Sequence, residues 1–219
     1  MGRSELLVEG NDDQTFFKAH LNLIGLITVN VRAPKSLDAS TGDGWPNLVK
    51  NLPILLKQII AGDVEKFGIV LDADYPPANN GGFDKRFQLI SNELTKVGYI
   101  IPSKPRHKFG EIFVHPNGLP SVGLWIMPDH QSNGMLEGFV ESMVSDAAQI
   151  SLLNHAEKSI NTLPVTLFDK TLHLTKAKVF TWRAWQKRPG IPLNLALQDG
   201  ILDRSKSVNF ENWLKQVFK

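Results

Sequence analysis

FGIVLDAD, residues 67–74, decides how the rest of the chain is read. A short run rich in Ile, Val and Leu that ends on acid-x-acid reads as a buried strand whose exit carries polar chemistry. Upstream, WPNLVKNLPILLKQIIAG (45–62) places Leu48, Leu52, Leu55, Leu56 and Ile59 at helical spacing, with Pro53 expected to kink or start that helix. Downstream, DKRFQLISNELTKVG (84–98) reads as the next helix. Further out, ITVNVRA (27–33) and LLVE (6–9) are strand-like, separated by the helix-like DDQTFFKAHLNLIG (12–25). Strand and helix alternate, as in a parallel sheet with crossover helices. The fold class expected is therefore α/β, a Rossmann-like, mostly parallel sheet flanked by helices.

HPNG (115–118) reads as a turn between FGEIFV and SVGLWIMPD, a hairpin or edge pair that supplies the last strand. From Met135 onward the strand signal stops. MLEGFVESMVSDAAQISLLNHAEKSINTL (135–163), LTKAKVFTWRAWQ (174–186) and NFENWLKQVF (209–218) all read as helices. No Pro/Gly/Ser-rich linker precedes them, so residues 1–134 are expected to form the α/β core and residues 135–219 a helical extension packed on it.

The 219 residues are 42% hydrophobic and 21% charged, ordinary material for a globular chain. No stretch approaches the roughly 18 consecutive apolar residues of a membrane span, and no signal-peptide pattern opens the chain. A cytoplasmic protein without a membrane partner is expected. With no cysteine, disulfides, thiolate metal sites and thiol nucleophiles are excluded. STGDGW (40–45) lacks the Lys-Ser/Thr of a phosphate-cradling loop, so no ATP site is indicated.

The acids fall where an open parallel sheet binds its ligands, at the carboxyl ends of the strands. Glu9 closes the first strand, Asp72 and Asp74 the third, Asp129 follows the last and Glu137 opens the next helix. If the first and third strands are neighbours, Glu9, Asp72 and Asp74 repel one another, and a cation or protonation must relieve them. Side chains of an extended segment point the same way every second residue, so Asp72 and Asp74 are expected to face one site. Oxygen-only donors imply Mg²⁺, or Mn²⁺ in its place. Asp13, four residues after Glu9, reads equally as a site acid or as a first-turn acid favoured by the helix dipole. Asn11 or Asp12 reads as the helix cap.

Positive charge is grouped although the net charge is only +2. Lys170, Lys176, Lys178, Arg183, Lys187 and Arg188 lie in one acid-free stretch, and SKPRHKFG (103–110) adds Lys104, Arg106 and Lys108. Lys104, Arg106, Lys108, Lys176, Lys178 and Arg183 are the candidate phosphate contacts for DNA or RNA; a solvated face is the competing reading. Trp182 reads as core at helical spacing with Val179 and Gln186, and Trp185 as a possible stacking surface. His107 and His130 read as surface residues.

VEG before a helix, with DxD closing a strand about sixty residues later, resembles the Toprim domain of topoisomerases, bacterial primases, small RNA-maturing nucleases and OLD-type nucleases. The likeness spans approximately residues 4–140, and LWIMPDHQSNGMLEGFVESMV (124–144) with KAKVFTWRAWQ (176–186) looks like a group of small stand-alone Toprim-like proteins. The resemblance implies that Glu9 acts as general acid/base or ligand and that Asp72 and Asp74 hold Mg²⁺. By analogy with the OLD-type members, Asp13 and Glu137 complete a two-metal site. YPPANNGG (75–82) departs from the pattern, leaving Gly81 or Gly82 to open the following helix. A metal-dependent nuclease is the expected function. A non-catalytic nucleic-acid or protein-binding module, and an effector subunit working with an ATPase partner, are the alternatives.

Overall fold

The computed structural model describes residues 2–219, apart from the side chain of Asn79. In chain order it runs β1 (Arg3–Leu7), α1 (Asn11–Leu23), β2 (Val29–Arg32), α2 (Pro34–Leu37), α3 (Trp45–Ile60), β3 (Val64–Asp72) and α4 (Phe83–Thr95). It continues with β4 (Glu111–Phe113), β5 (Val122–Met127), α5 (Leu136–Ser142), α6 (Ala147–Asn161), α7 (Lys170–Ala184), α8 (Leu193–Gln198) and α9 (Val208–Phe218). The sheet order is β2-β1-β3-β5-β4. β2, β1, β3 and β5 are parallel, and β4 pairs antiparallel with β5 through the turn that HPNG marks. The α/β fold with a mostly parallel sheet is thus as the sequence implies.

Alternation along the strands divides the core in two. Leu6, Val70, Trp125 and Met127 point to one face, into a cluster with Phe16, Phe17 and the helices after residue 135. Leu7, Ile69, Leu71, Leu124 and Ile126 point to the other, against α3 and α4. This follows from the period of two along a strand. α9 lies close to the sheet because Gly68 and Gly123 are register partners on β3 and β5. A Cβ at Gly123 would come within 3.1 Å of Trp213 Cζ2, and one at Gly68 within 3.1 Å of Phe218 Cζ. α3 runs unbroken through Pro53; its stripe of Leu48, Leu52, Leu55, Leu56 and Ile59 is buried. Burying those five at about 1.5–3 kcal/mol each outweighs the roughly 3 kcal/mol that an interior proline costs.

Two local expectations fail. α1 is capped by neither Asn11 nor Asp12: Gly10 occupies the cap position without a side-chain bond, and Asp43 Oδ2 accepts from the Asn11 N–H instead (3.2 Å). His130 is not a surface residue. It is fully buried, its Nδ1 accepting from the Ile126 N–H (3.0 Å), and burial drives its pKa down to about 3. Asp43 is 32 residues from Asn11, and although Ile126 is a near neighbour of His130, the burial comes from the packing of distant Phe83 over the ring, so neither outcome has a local sequence signal. Among the described residues no helix is long and apolar enough to cross a membrane.

Candidate functional site

β1 and β3 are hydrogen-bonded neighbours, so the chain ends that follow them emerge side by side. Glu9, two residues beyond β1, reaches across and its Oε2 accepts from the Asp72 N–H (3.0 Å). The backbone N–H of Trp45, at the start of α3, also favours its charged form. Asp72 is the last residue of β3, and its Oδ1 accepts from the N–H of Leu136, the first residue of α5 (2.9 Å). Each carboxylate is therefore aimed by a backbone donor from another element, which needs the folded topology rather than a local motif.

Asp13 from the first turn of α1 and Glu137 from the first turn of α5 line one cleft with Asp72. Its volume is about 120 Å³. Burial, the opposing Glu9 and Glu137 charges push the Asp13 carboxyl up to about 7. Burial with the Asp74 charge does the same to Glu9, up to about 7, against the two backbone N–H donors that pull it down. Asp72 is raised well above the carboxylate range by burial and then by Glu9, Asp13, Glu137 and Asp74. Desolvation and like charge act together here. Glu137 alone among them has a nearby lysine, Lys176 Nζ at 3.6 Å and largely exposed.

Asp74 departs from the expected arrangement. The strand ends at Asp72, and Asp74 has φ +60, so the two side chains do not share an extended alternation. Its Oδ2 pairs with Arg86 Nη2 at 2.7 Å. Arg86 is fully buried, donates to Asp72 O (3.2 Å) and Asn80 O (2.9 Å), and its guanidinium stacks 4.1 Å from the Trp45 ring centroid. Asp74 thus anchors the loop beside Glu9. The clue to Arg86 was an arginine on the buried stripe of α4 formed by Phe83, Ile90 and Leu94. Gly82, at φ +119, is the glycine that opens α4. Asp129 stays out of the cleft, closing its own turn by accepting from the Gln131 and Ser132 N–H groups.

The basic residues separate. Lys176 and Arg183 on α7 form the wall facing the carboxylates. Lys178 does not: it is buried and ion-paired to Glu141 (2.5 Å) and Glu157 (2.8 Å), which leaves it no face for a phosphate. Burial opposes its charge, and the bonds from the two glutamates outweigh that and raise its pKa. Lys104, Arg106 and Lys108 lie on an exposed loop away from the cleft; Lys108 lines a separate depression with Trp125 and Lys206. Trp182 is core, as its spacing implies. The sequence reading missed Phe180, which is 45% exposed and lines the cleft between Lys176 and Arg183.

A family model described as "Protein of unknown function (DUF3226)" matches residues 3–219. The chain belongs to that family. No curated protein and no solved structure matches this DUF3226 chain. Among its described residues no three His, Asp or Glu side chains are gathered closely enough to hold an ion as they stand. In chemistry the donor set nevertheless fits a hard divalent cation: all are oxygen donors, and Glu9, Asp13 and Asp72 carry a repulsion that such a charge would cancel.

Proposed function

We propose that the chain hydrolyses phosphodiester bonds of nucleic acid with Mg²⁺ or Mn²⁺, through Asp72, Asp13 and Glu137 with Glu9 behind them. The observation that carries this is a single cleft in which mutually repelling, half-buried carboxylates face Lys176 and Arg183. Acids at strand ends in the order of the Toprim pattern add support. The reaction adds water across a P–O ester bond, giving a phosphate monoester end and a free hydroxyl. A divalent cation, when bound, supplies charge for the phosphoryl oxygens and an acidified water. The ion would have to draw Asp13 and Glu137 toward Asp72. Glu9, with its carboxyl near 7, is placed to exchange protons close to neutral pH. Lys176 and Arg183 would hold the scissile strand by its phosphates. Asp74 acts through Arg86, fixing the loop that follows β3.

The test is cleavage of single- and double-stranded DNA and RNA with Mg²⁺ or Mn²⁺, with an EDTA control, by wild type and Asp72→Asn/Asp74→Asn. We expect metal-dependent cutting that falls at least about 100-fold in the variant. Cutting that survives in a folded variant sinks the assignment. A second reading, an effector subunit served by a partner protein such as an ATPase, is favoured by Leu163, Val165 and Leu167, exposed at 44%, 67% and 95% between α6 and α7. That reading gives no cutting by the chain alone and cutting once the partner is added.

A further inference from the structure

α7 is held in the core by one face, through Val179 and Trp182, both fully buried. Its other face carries His173, Lys176, Ala177, Phe180 and Arg183, spaced by three, one, three and three residues, a single stripe of a helix. Lys176, Phe180 and Arg183 line the carboxylate cleft, and Lys176 and Phe180 continue into an adjoining depression with Phe168, His173 and Ala177. The stripe therefore runs past the acids and beyond them.

A lone exposed phenylalanine is ordinary. What distinguishes Phe180 is its company. The Arg183 guanidinium lies 4.9 Å from its ring centroid and is itself fixed, Nε donating to Ile191 O (2.6 Å) and Nη2 to Gly190 O (3.4 Å). Among the described residues no protein acceptor engages Arg183 Nη1. An aromatic face beside a fixed cation is the arrangement that holds a base by stacking and its phosphate by charge.

The same features set the strandedness. Only an unpaired base offers its face to a side chain, because in a duplex both faces are covered by neighbours. From His173 to Arg183 the helix rises about 15 Å. That is long enough to run beside more than one phosphate of a bound strand.

Resting on the reading of the cleft as a phosphodiester site, we infer that the His173–Arg183 face of α7 is a track for single-stranded nucleic acid, with Phe180 the base platform and Arg183 and Lys176 the phosphate contacts.

The experiment is fluorescence anisotropy of labelled oligothymidylate, oligouridylate and a DNA duplex, in EDTA so that no cutting intervenes, with wild type, Phe180→Ala, Phe180→Trp and Arg183→Ala. Wild type is expected to bind the single strands more tightly than the duplex. Phe180→Ala should weaken single-strand binding about tenfold, and Phe180→Trp should restore it. Arg183→Ala should flatten the salt dependence. Phe180 is exposed enough that its variants are expected to fold, which circular dichroism checks. Equal binding by wild type and Phe180→Ala overturns the track, as does preference for the duplex or the absence of binding to any oligonucleotide. Because binding is read without metal, loss of the track and loss of the nuclease assignment are separate results: a Phe180-dependent binder that never cuts keeps the first and discards the second.

Discussion

Two carboxylates, half-buried Asp13 and buried Glu211, sit on opposite sides of one balance. Burial tends to raise both. At Glu211 that tendency is outweighed by His20, whose Nε2 is 3.3 Å from Oε1, and by Arg204 Nε at 3.0 Å, so its pKa falls to about 2. At Asp13 the neighbours are Glu9 and Glu137, and the pKa climbs to about 7. Glu211 ties α1 to α9 and stabilises the fold. Asp13 works against it, which is what the role proposed for it would entail.

The comparison breaks most visibly at Glu211. Glu211→Gln should cost about 3 kcal/mol, because fully buried His20 loses a charged acceptor and the part-exposed Arg204 and Lys215 lose their counter-ion, lowering the melting temperature by about 6–12 °C. Asp13→Asn should do the opposite, raising it by about 4–8 °C for roughly 2 kcal/mol of relieved repulsion. An Asp13→Asn protein that melts lower than wild type would undo the contrast.

The pH dependence sharpens it. Asp13 and Glu9 bind protons more tightly in the folded chain, near 7 against about 3.8 and 4.5 unfolded. Their penalty is therefore absent at low pH, grows as pH rises from about 4 to 7, and is constant above that. The melting gap between Asp13→Asn and wild type should be full at pH 8 and vanish near pH 4. Glu211 has the reverse sign: folded near 2 against 4.5 unfolded, its contribution is complete above pH 4.5 and lost as pH falls toward 2. Next in size is Mg²⁺, which at about ten times its Kd should raise the wild-type melting temperature by about 3–6 °C at pH 8, and far less at pH 5 where the acids are protonated. Smallest is Lys176→Ala: an exposed pair at 3.6 Å from Glu137 contributes under about 1 kcal/mol, so stability should hold within about 2–4 °C.

What could be read from the residues was whatever repeats along an element. Leu48 to Ile59 announced α3, whereas Glu9 stood beside Asp72 only on the condition that β1 and β3 were neighbours, which the sheet order meets. What could not be read depended on contacts between distant segments. Asp74 leaves the strand geometry at φ +60 to meet Arg86, Lys178 is claimed by Glu141 from α5 and Glu157 from α6, and His130 is buried between Phe83 and Trp125. Phe180 was passed over in favour of Trp182 and Trp185, which follow it in the same stretch. Exposure, which no spacing reports, is what set it apart.

The crowding of Asp72, Asp13 and Glu9 also bears on how this family changes over generations. In a lineage released from the chemistry proposed for the cleft, the first neutralising substitution there should bring a gain in stability, so drift would remove these acids early. A descendant that still carries all of them is one in which selection is still at work on that cleft.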